Sequence, residues 1–399
     1  MPGSGGATAV RAERQVRALY FSYFAYVDTL SPYLSLYLEA SGYSVAAIGL
    51  LLAVPQAMRI VAPPVWGLLV DRSGLGGRML VASALLTTVC VVLLPWAVPR
   101  GQAMAFVLLA GLFLASAGIT PIAEATALAL ARGDAGRYGA MRLWGSVGFV
   151  IAVVVVGPAL DITGALALPW ILAVIAGGIT LVGLRLAGLA GPLRSAPALP
   201  LRARLRERAV AAFFVANFLM LFAHAALYVL FSLYLQRHGY SKSAIGLFWA
   251  IGVLAEIALF RWQSVLFNRF SAAALFAFSI GVAALRFALV GVSAGGLALL
   301  VVSQVLHAIT FGLHHSASMA LLHRWFGPAQ QARAQALFIT IGYGCGGTLG
   351  GLAMSSVWEN VSPEAAFAGA SLAAAAGCLF ALACVERAAG SRDAEEPSP

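Results

Sequence analysis

Residues 35–50 read SLYLEASGYSVAAIGL, and residues 232–247 read SLYLQRHGYSKSAIGL. Eleven of these sixteen positions are identical, and the offset is 197 residues, about half of the 399-residue chain. A shared Gly-Tyr-Ser followed by a shared Ala-Ile-Gly-Leu marks an internal duplication. A period of half the chain means two copies of one unit.

The composition says what the unit is made of. Hydrophobic residues are 61% of the chain and charged residues 10%, where a soluble domain has roughly 25% charged residues. Apolar runs such as 79–98, 102–131, 143–160 and 362–385 are each long enough to cross a hydrocarbon core of ~30 Å as a helix. A backbone in lipid must satisfy its own hydrogen bonds, so spans are helices or a closed barrel; the runs do not alternate at period two, which leaves helices. Twelve spans are expected, at 17–39, 45–70, 79–98, 102–131, 138–160, 165–187, 209–236, 242–266, 270–291, 296–325, 331–357 and 362–386. The Pro- and Arg-rich stretch 188–208 falls between the sixth and seventh. The expected fold is an all-α membrane protein of two six-helix bundles, residues 1–187 and 209–386, with a linker at 188–208 and a tail at 387–399.

The formal charge is +10, but its distribution argues against nucleic acid. Arg11, Arg14, Arg17, Arg72, Arg78, Arg132, Arg137, the arginines of 185–208, Arg269, Arg324, Arg333, Arg387 and Arg392 lie on one alternating set of loops and tails. The other set holds Arg100, Arg237 and Lys242. This is the positive-inside pattern and places both termini in the cytoplasm. The first span lacks a small-residue cleavage site and reads as a retained helix, not a signal peptide. Cys90, Cys345, Cys378 and Cys384 all fall within spans without metal-type spacing, so they read as packing residues. No metalloprotease, nucleotide-loop or nucleophile-elbow motif occurs, and neither an enzyme, a cofactor nor a metal is expected.

Six plus six helices joined by a cytoplasmic linker resemble the plan of the major facilitator superfamily, whose halves are related by a two-fold axis along the membrane normal with a substrate site near mid-membrane. After the second span comes Gly67-Leu-Leu-Val-Asp71-Arg72-Ser73-Gly74-Leu-Gly-Gly-Arg78, which is similar to the superfamily's motif in the loop between helices 2 and 3. The resemblance implies a gating element of Gly67, Asp71, Arg72, Gly74 and Arg78, with Asp71 facing the N-terminus of helix 11, where negative charge is favoured. Arg78 sits later than the basic residue of the usual pattern.

Charges inside spans are costly and mark sites. Asp28 lies in the first span, Arg59 in the second, and the 197-residue offset carries Arg59 onto Glu256 in the eighth. Those two are expected at equivalent depth, as a charge pair or as binders of opposite parts of a substrate. Glu124 and Arg142 flank the turn around 132–137 at similar depth, so an ion pair is expected. Arg286 has no acid in its own span. Helix 10 carries His307, His314 and His315; the first two are seven apart and share a face, while the third points about a quarter turn away. Histidine can titrate near neutral pH, so these three, with His224 in helix 7, are candidate proton or anion groups. Trp249 shares helical spacing with Glu256, and Trp144 follows Arg142; beside a charged cavity such rings can stack on a substrate.

The stretch Tyr138-Gly-Ala-Met-Arg-Leu-Trp-Gly-Ser-Val-Gly148, the Tyr-Ser at 240–241, Glu256, Arg286, and Leu-His at 306–307 resemble the lactose permease and, more closely, the 3-phenylpropionate transporter group. The resemblance implies that Glu124 and Arg142 bind substrate, that Glu256 joins substrate and proton binding, that Arg286 tunes proton release and that His307 is the helix-10 histidine. One position departs from the permease: where it carries a proton-bearing glutamate, this chain has Thr310. The implied function is proton-coupled import of a small organic acid such as a phenylpropionate, by a monomer in the bacterial cytoplasmic membrane. Arg142, Arg59 and Arg286 are candidates for the carboxylate and Glu256 for the proton. The alternatives are a sugar or nucleoside symporter, a drug exporter, or a membrane sensor.

Overall fold

The computed structural model describes residues 4–73, 76–188, 201, 204–327 and 330–390. Among them are twelve helices, a few short 3-10 turns and no strand: α1 (Ser4–Ala40), α2 (Val45–Ser73), α3 (Gly76–Ala97), α4 (Gln102–Ala131), α5 (Ala135–Thr163), α6 (Leu168–Leu186), α7 (Arg208–Arg237), α8 (Lys242–Arg269), α9 (Ala272–Val292), α10 (Leu297–Trp325), α11 (Gln331–Asn360) and α12 (Pro363–Gly390). Eleven helices are long and apolar enough to cross a membrane. The helix below that mark is α1, expected as the first span; Tyr20, Tyr23, Tyr26, Asp28, Tyr33 and Tyr37 dilute its apolar run. Its tyrosines at 20, 26, 33 and 37 are nevertheless buried. Most of the expected linker, Gly74 of the gating element and the end of the tail lie outside the described residues.

The chain divides into two compact units, Met1–Ser195 with Gly239–Ala250, and Ala196–His238 with Ile251–Pro399. In the first unit α1 packs on α5 and α6, and α3 on α4 and α6; in the second, α7 packs on α11 and α12, and α9 on α10 and α12. These are the same pairs displaced by six helices. The duplication is equally plain atom by atom. Gly42 and Gly239 both adopt positive φ, +90° and +82°, with open space where a Cβ would go. Ser44 Oγ accepts from the Ala47 N–H and Ser241 Oγ from the Ala244 N–H, so each copy starts its next helix with the same cap. Ser41 Oγ donates to the Tyr37 carbonyl and His238 Nδ1 to the Tyr234 carbonyl, both at 2.8 Å.

Close backbone approach sets the helix spacing inside each unit. A Cβ on Gly148 of α5 would run into the Phe21 carbonyl of α1, and one on Gly350 of α11 into the Phe222 carbonyl of α7. Small residues at such crossings let van der Waals packing replace the hydrophobic drive that lipid cannot supply. Val174, Leu372 and Leu379 stay largely exposed on the outer faces of their helices, as expected where the surroundings are hydrocarbon.

The fourth helix of each unit is broken. α4 is interrupted at Ala117–Gly118; Ser83 Oγ donates to the Ala115 carbonyl at 2.5 Å and Trp66 Nε1 to the Leu114 carbonyl at 2.6 Å. α10 is interrupted at Leu306 and continues as a π-helical segment, Ala308–Leu313; Arg286 Nε donates to the Ser303 carbonyl at 2.7 Å. In both, side chains from neighbouring helices take carbonyls near the break, which is how a discontinuous helix is sustained in lipid. α11 holds a second π-helical segment, Thr340–Gly346, with Asn217 of α7 donating to the Phe338 carbonyl at 3.2 Å. Such segments cluster at functional positions.

Candidate functional site

In the first unit a polar cluster forms around Glu124, in the half of α4 beyond its break. Arg142 Nε lies 3.3 Å from Glu124 Oε1, and Tyr138, one turn earlier on α5, donates its hydroxyl to Oε2 at 2.5 Å. The expected Glu124–Arg142 pair is therefore present. Its groups keep 28% and 38% of their side-chain surface exposed, so they remain accessible to a ligand. The Arg142 guanidinium lies 4.2 Å from the Phe24 ring centroid and 5.4 Å from that of Tyr20, and rings around a cation fix its direction. Phe21 meets Trp144 edge-on at 6.5 Å, and Trp144 keeps 42% of its surface exposed. Farther along α1, Tyr23 lies near Thr120 and within electrostatic reach of Asp28, Arg59 and Arg142. Asp28 is half-buried and Arg59 exposed.

The second unit holds a more deeply buried cluster. Arg286 is fully buried. Besides Ser303, it donates through Nη1 to His307 Nδ1 and to Thr310 Oγ1, each at 3.1 Å. A guanidinium only donates, so His307 Nδ1 accepts and its proton sits on Nε2. Among the described residues no carboxylate lies within ion-pair distance of Arg286. His224 of α7 is buried and donates from Nδ1 to the Met220 carbonyl at 3.0 Å. Its ring is 6.4 Å from that of His307 and meets Phe287 edge-on at 5.2 Å.

The three histidines of α10 part company. His307 belongs to the Arg286 cluster. His314, one face turn on, is buried in another, between Asn217 Oδ1 and Ser279 Oγ at 3.3 Å each, and stacks on Phe276 at 5.1 Å. His315 is exposed, its ring 6.1 Å from Phe338. On α8, Gly252 faces His307, and Glu256 lies against Gly312, whose added Cβ would come within 2.8 Å of Glu256 Cγ. Glu256 is half-buried in the second unit, while Arg59 and the buried Trp249 belong to the first. Arg78 is exposed on α3. Gly67, Asp71 and Arg72 lie on the last turns of α2, and their side chains are outside the described residues.

Sequence reading missed Tyr138, Tyr20 and Phe24 as partners of the Glu124–Arg142 pair, and Asn217 and Ser279 as partners of His314. The spacing Tyr138–Arg142, one helical turn, was the available signal for the first. It also missed Asp161 at the end of α5. Its carboxylate accepts from the Lys242 N–H at 2.7 Å, the Ser243 N–H at 2.9 Å and the Ser243 hydroxyl at 2.5 Å. Tyr33 donates to the Val153 and Lys242 carbonyls at 3.1 and 3.2 Å. All of these belong to the first unit, which includes the opening turns of α8.

The model of the MFS_1 like family matches residues 14–368. The chain is 30% identical over 345 residues to a probable 3-phenylpropionic acid transporter of Escherichia coli (strain K12), covering 82% of this chain and 86% of that one. It is 29% identical over 337 residues to a maltose permease of Geobacillus stearothermophilus, covering 82% and 83%. Among solved structures it is similar in fold to the nucleoside transporter NupG, with a TM-score of 0.79, 17% identity, and coverage of 94% of this chain and 98% of that one.

Proposed function

The chain belongs to the MFS_1-like family of membrane transporters, and from that premise we propose that it imports a small aromatic or other organic acid together with a proton. It is a multi-pass transporter of the major facilitator type for a small molecule. The observation that carries the finer reading is Arg286: a fully buried guanidinium with no carboxylate at ion-pair distance among the described residues. A buried charge without a counter-charge is costly, and a substrate anion lowers that cost each time it binds. Arg142, accessible and held by rings on two sides, is the second carboxylate binder, because a guanidinium clamps a carboxylate bidentately. Arg59 is the third. Asp28, Glu124, Trp144, His224 and Trp249 complete the substrate-facing set. Glu256 takes the proton, assisted by Arg286, His307, His314 and His315. The likeness to the probable 3-phenylpropionic acid transporter supports this reading.

The bundles 1–187 and 209–386 work by alternating access in the bacterial cytoplasmic membrane, with both termini in the cytoplasm, and the Gly67–Arg78 element controls the cytoplasmic gate. A sugar or nucleoside as substrate is the second reading. It is favoured by the Glu124–Arg142–Tyr138 arrangement beside the exposed Trp144, since a carboxylate and guanidinium bind hydroxyls while a ring stacks on the sugar face.

The test is uptake of labelled 3-phenylpropionate, cinnamate, maltose and uridine into proteoliposomes, with and without an inward acid gradient. Acid-driven accumulation of an aromatic acid is expected; accumulation of maltose or uridine instead moves the protein to the second reading.

A further inference from the structure

The outer face of α9 carries two apolar grooves that adjoin. One, of about 410 Å³, runs along the seam with α12 and is lined by Ala274, Phe278, Gly281, Leu285, Cys378 and Leu382. The other, of about 490 Å³, lies between α8, α9 and α10 and is walled by Leu259, Leu266, Phe270, Phe278, Ile309 and Leu313, with Ala274 again part of its wall. Ala274 and Phe278 line both, so the grooves flank a single ridge at Phe278, which keeps 55% of its surface exposed. All of these residues belong to the second unit.

The grooves have the reach of one leaflet. The first extends along α9 from Ala274 to Leu285, and the second along α8 and its end from Phe270 back to Leu259, a step of eleven residues in each. That is about 16 Å at helical rise, close to half of a hydrocarbon core of ~30 Å. Both start at the same place, since Phe270 and Ala274 stand on the two sides of the turn from α8 to α9. Packing in lipid rests on van der Waals contact, and a groove that its neighbour does not fill forfeits such contacts. Two chains seated on either side of Phe278 therefore gain more than a flat layer of lipid does.

The end where the grooves start is basic. Arg269 is the last residue of α8, next to Phe270, and is exposed. From residue 257 to residue 358 the sequence contains no Asp or Glu, so the α8–α9 turn, α9 and α10 bring no acid to it. A zwitterionic headgroup would set its own cation beside this guanidinium; an anionic one would not. We propose that this face binds one diacyl anionic phospholipid, with its headgroup at Arg269 and its two acyl chains on either side of Phe278. In the orientation proposed above the lipid comes from the cytoplasmic leaflet, whose surface is anionic. The larger groove is walled by Ile309 and Leu313 of the π-helical segment, so the chain seated there packs on the stretch of α10 that Arg286 reaches through Thr310. The site stands whichever substrate is carried.

The experiment is native mass spectrometry of the purified full chain in detergent, titrated with dioleoyl phosphatidylglycerol, dioleoyl phosphatidylcholine or the one-chain oleoyl lysophosphatidylglycerol. The wild type should retain one phosphatidylglycerol about fivefold more tightly than phosphatidylcholine, which is what one basic residue contributes at an anionic headgroup. The one-chain lipid should bind about tenfold more weakly or worse, because each buried methylene adds to binding. Arg269→Gln should erase the preference for phosphatidylglycerol and leave phosphatidylcholine as in wild type, while Arg269→Lys should keep the preference. Ala274→Leu, which fills the wall shared by both grooves, should weaken all three lipids. Arg269→Gln changes an exposed side chain and decides the matter even where Ala274→Leu fails to fold. Equal retention of phosphatidylglycerol and phosphatidylcholine by the wild type, a preference that survives in Arg269→Gln, or a one-chain lipid that binds as well as the two-chain one would each overturn the proposal. So would a mass of two protein chains that disappears in Ala274→Leu, which would give this face to a second copy of the protein.

Discussion

Arg142 and Glu124 meet at 3.3 Å across the turn that joins α4 to α5, and Tyr138 closes on the same carboxylate from one turn earlier. A pair this exposed is worth only about 0–1 kcal/mol to stability, so the substrate-binding role proposed for it can be tested apart from folding. Phe24 and Tyr20 hold the guanidinium plane, and lysine offers neither the plane nor the fork. Arg142→Lys should therefore lower transport tenfold or more while shifting the thermal unfolding midpoint by no more than about 2 °C. Uptake and unfolding measured on the same preparation check this. A parallel loss of both would make the pair structural.

The Asp161 carboxylate gathers three donors at the first turn of α8, doing from α5 what a capping residue does within a chain segment. Asp161→Ala leaves two helix N–H groups without that partner. Loss of a cap costs about 1 kcal/mol, so the unfolding midpoint should drop by a few degrees. Asp161→Asn keeps an acceptor and should fall between the two. The check is thermal unfolding of all three proteins in one detergent; an Ala variant as stable as wild type would remove the capping role.

Gly42 and Gly239 test the duplication as energy. Both have φ near +85° and both have open space at the Cβ position, so a methyl group there meets nothing and adds backbone strain alone. A left-handed non-glycine residue costs roughly 1–2 kcal/mol. Gly42→Ala and Gly239→Ala should each destabilise by about that amount, equally and additively, by equilibrium unfolding. Unequal costs would mean that the two turns differ in a way their dihedral angles do not show.

Much of this was legible in the sequence for physical reasons. Hydrocarbon demands long apolar helices, so the runs gave the elements away. A duplication preserves spacing, so the 197-residue offset carried Gly42 onto Gly239 and Ser44 onto Ser241. Glu124 and Arg142 were readable as partners because a short turn makes depth equal to distance along the chain. What stayed hidden depends on other helices. Nothing local marks the interruption of α10 at Leu306, which Arg286 sustains from α9, while α2 runs unbroken through Pro55, Pro63 and Pro64. The face shared by His307 and His314 was correct as periodicity, yet one joins Arg286 and the other Asn217 and Ser279. Periodicity gives the side of a helix and not the neighbour. Asp161 carries no local signal of its role, because its three donors lie some eighty residues on.

Glu256 offers the sharpest test of proton coupling. It is half-buried and packed against Gly312 in the π-helical segment of α10, so the isosteric Glu256→Gln fits where a larger change would not. The glutamine is a permanently neutral copy of the protonated acid. If Glu256 carries the coupling proton, the variant passes between states loaded with substrate but gains nothing from a proton gradient. Acid-driven accumulation of 3-phenylpropionate in proteoliposomes should then fall at least tenfold, while exchange of labelled for unlabelled substrate across equal pH should stay within about threefold of wild type, since that process needs no net proton movement. Gly312→Ala should slow both, because its methyl group would sit 2.8 Å from Glu256 Cγ and push that side chain from its place. A Gln variant that still accumulates substrate against its gradient would take the proton off Glu256 and leave Asp28, Glu124 or a histidine to carry it.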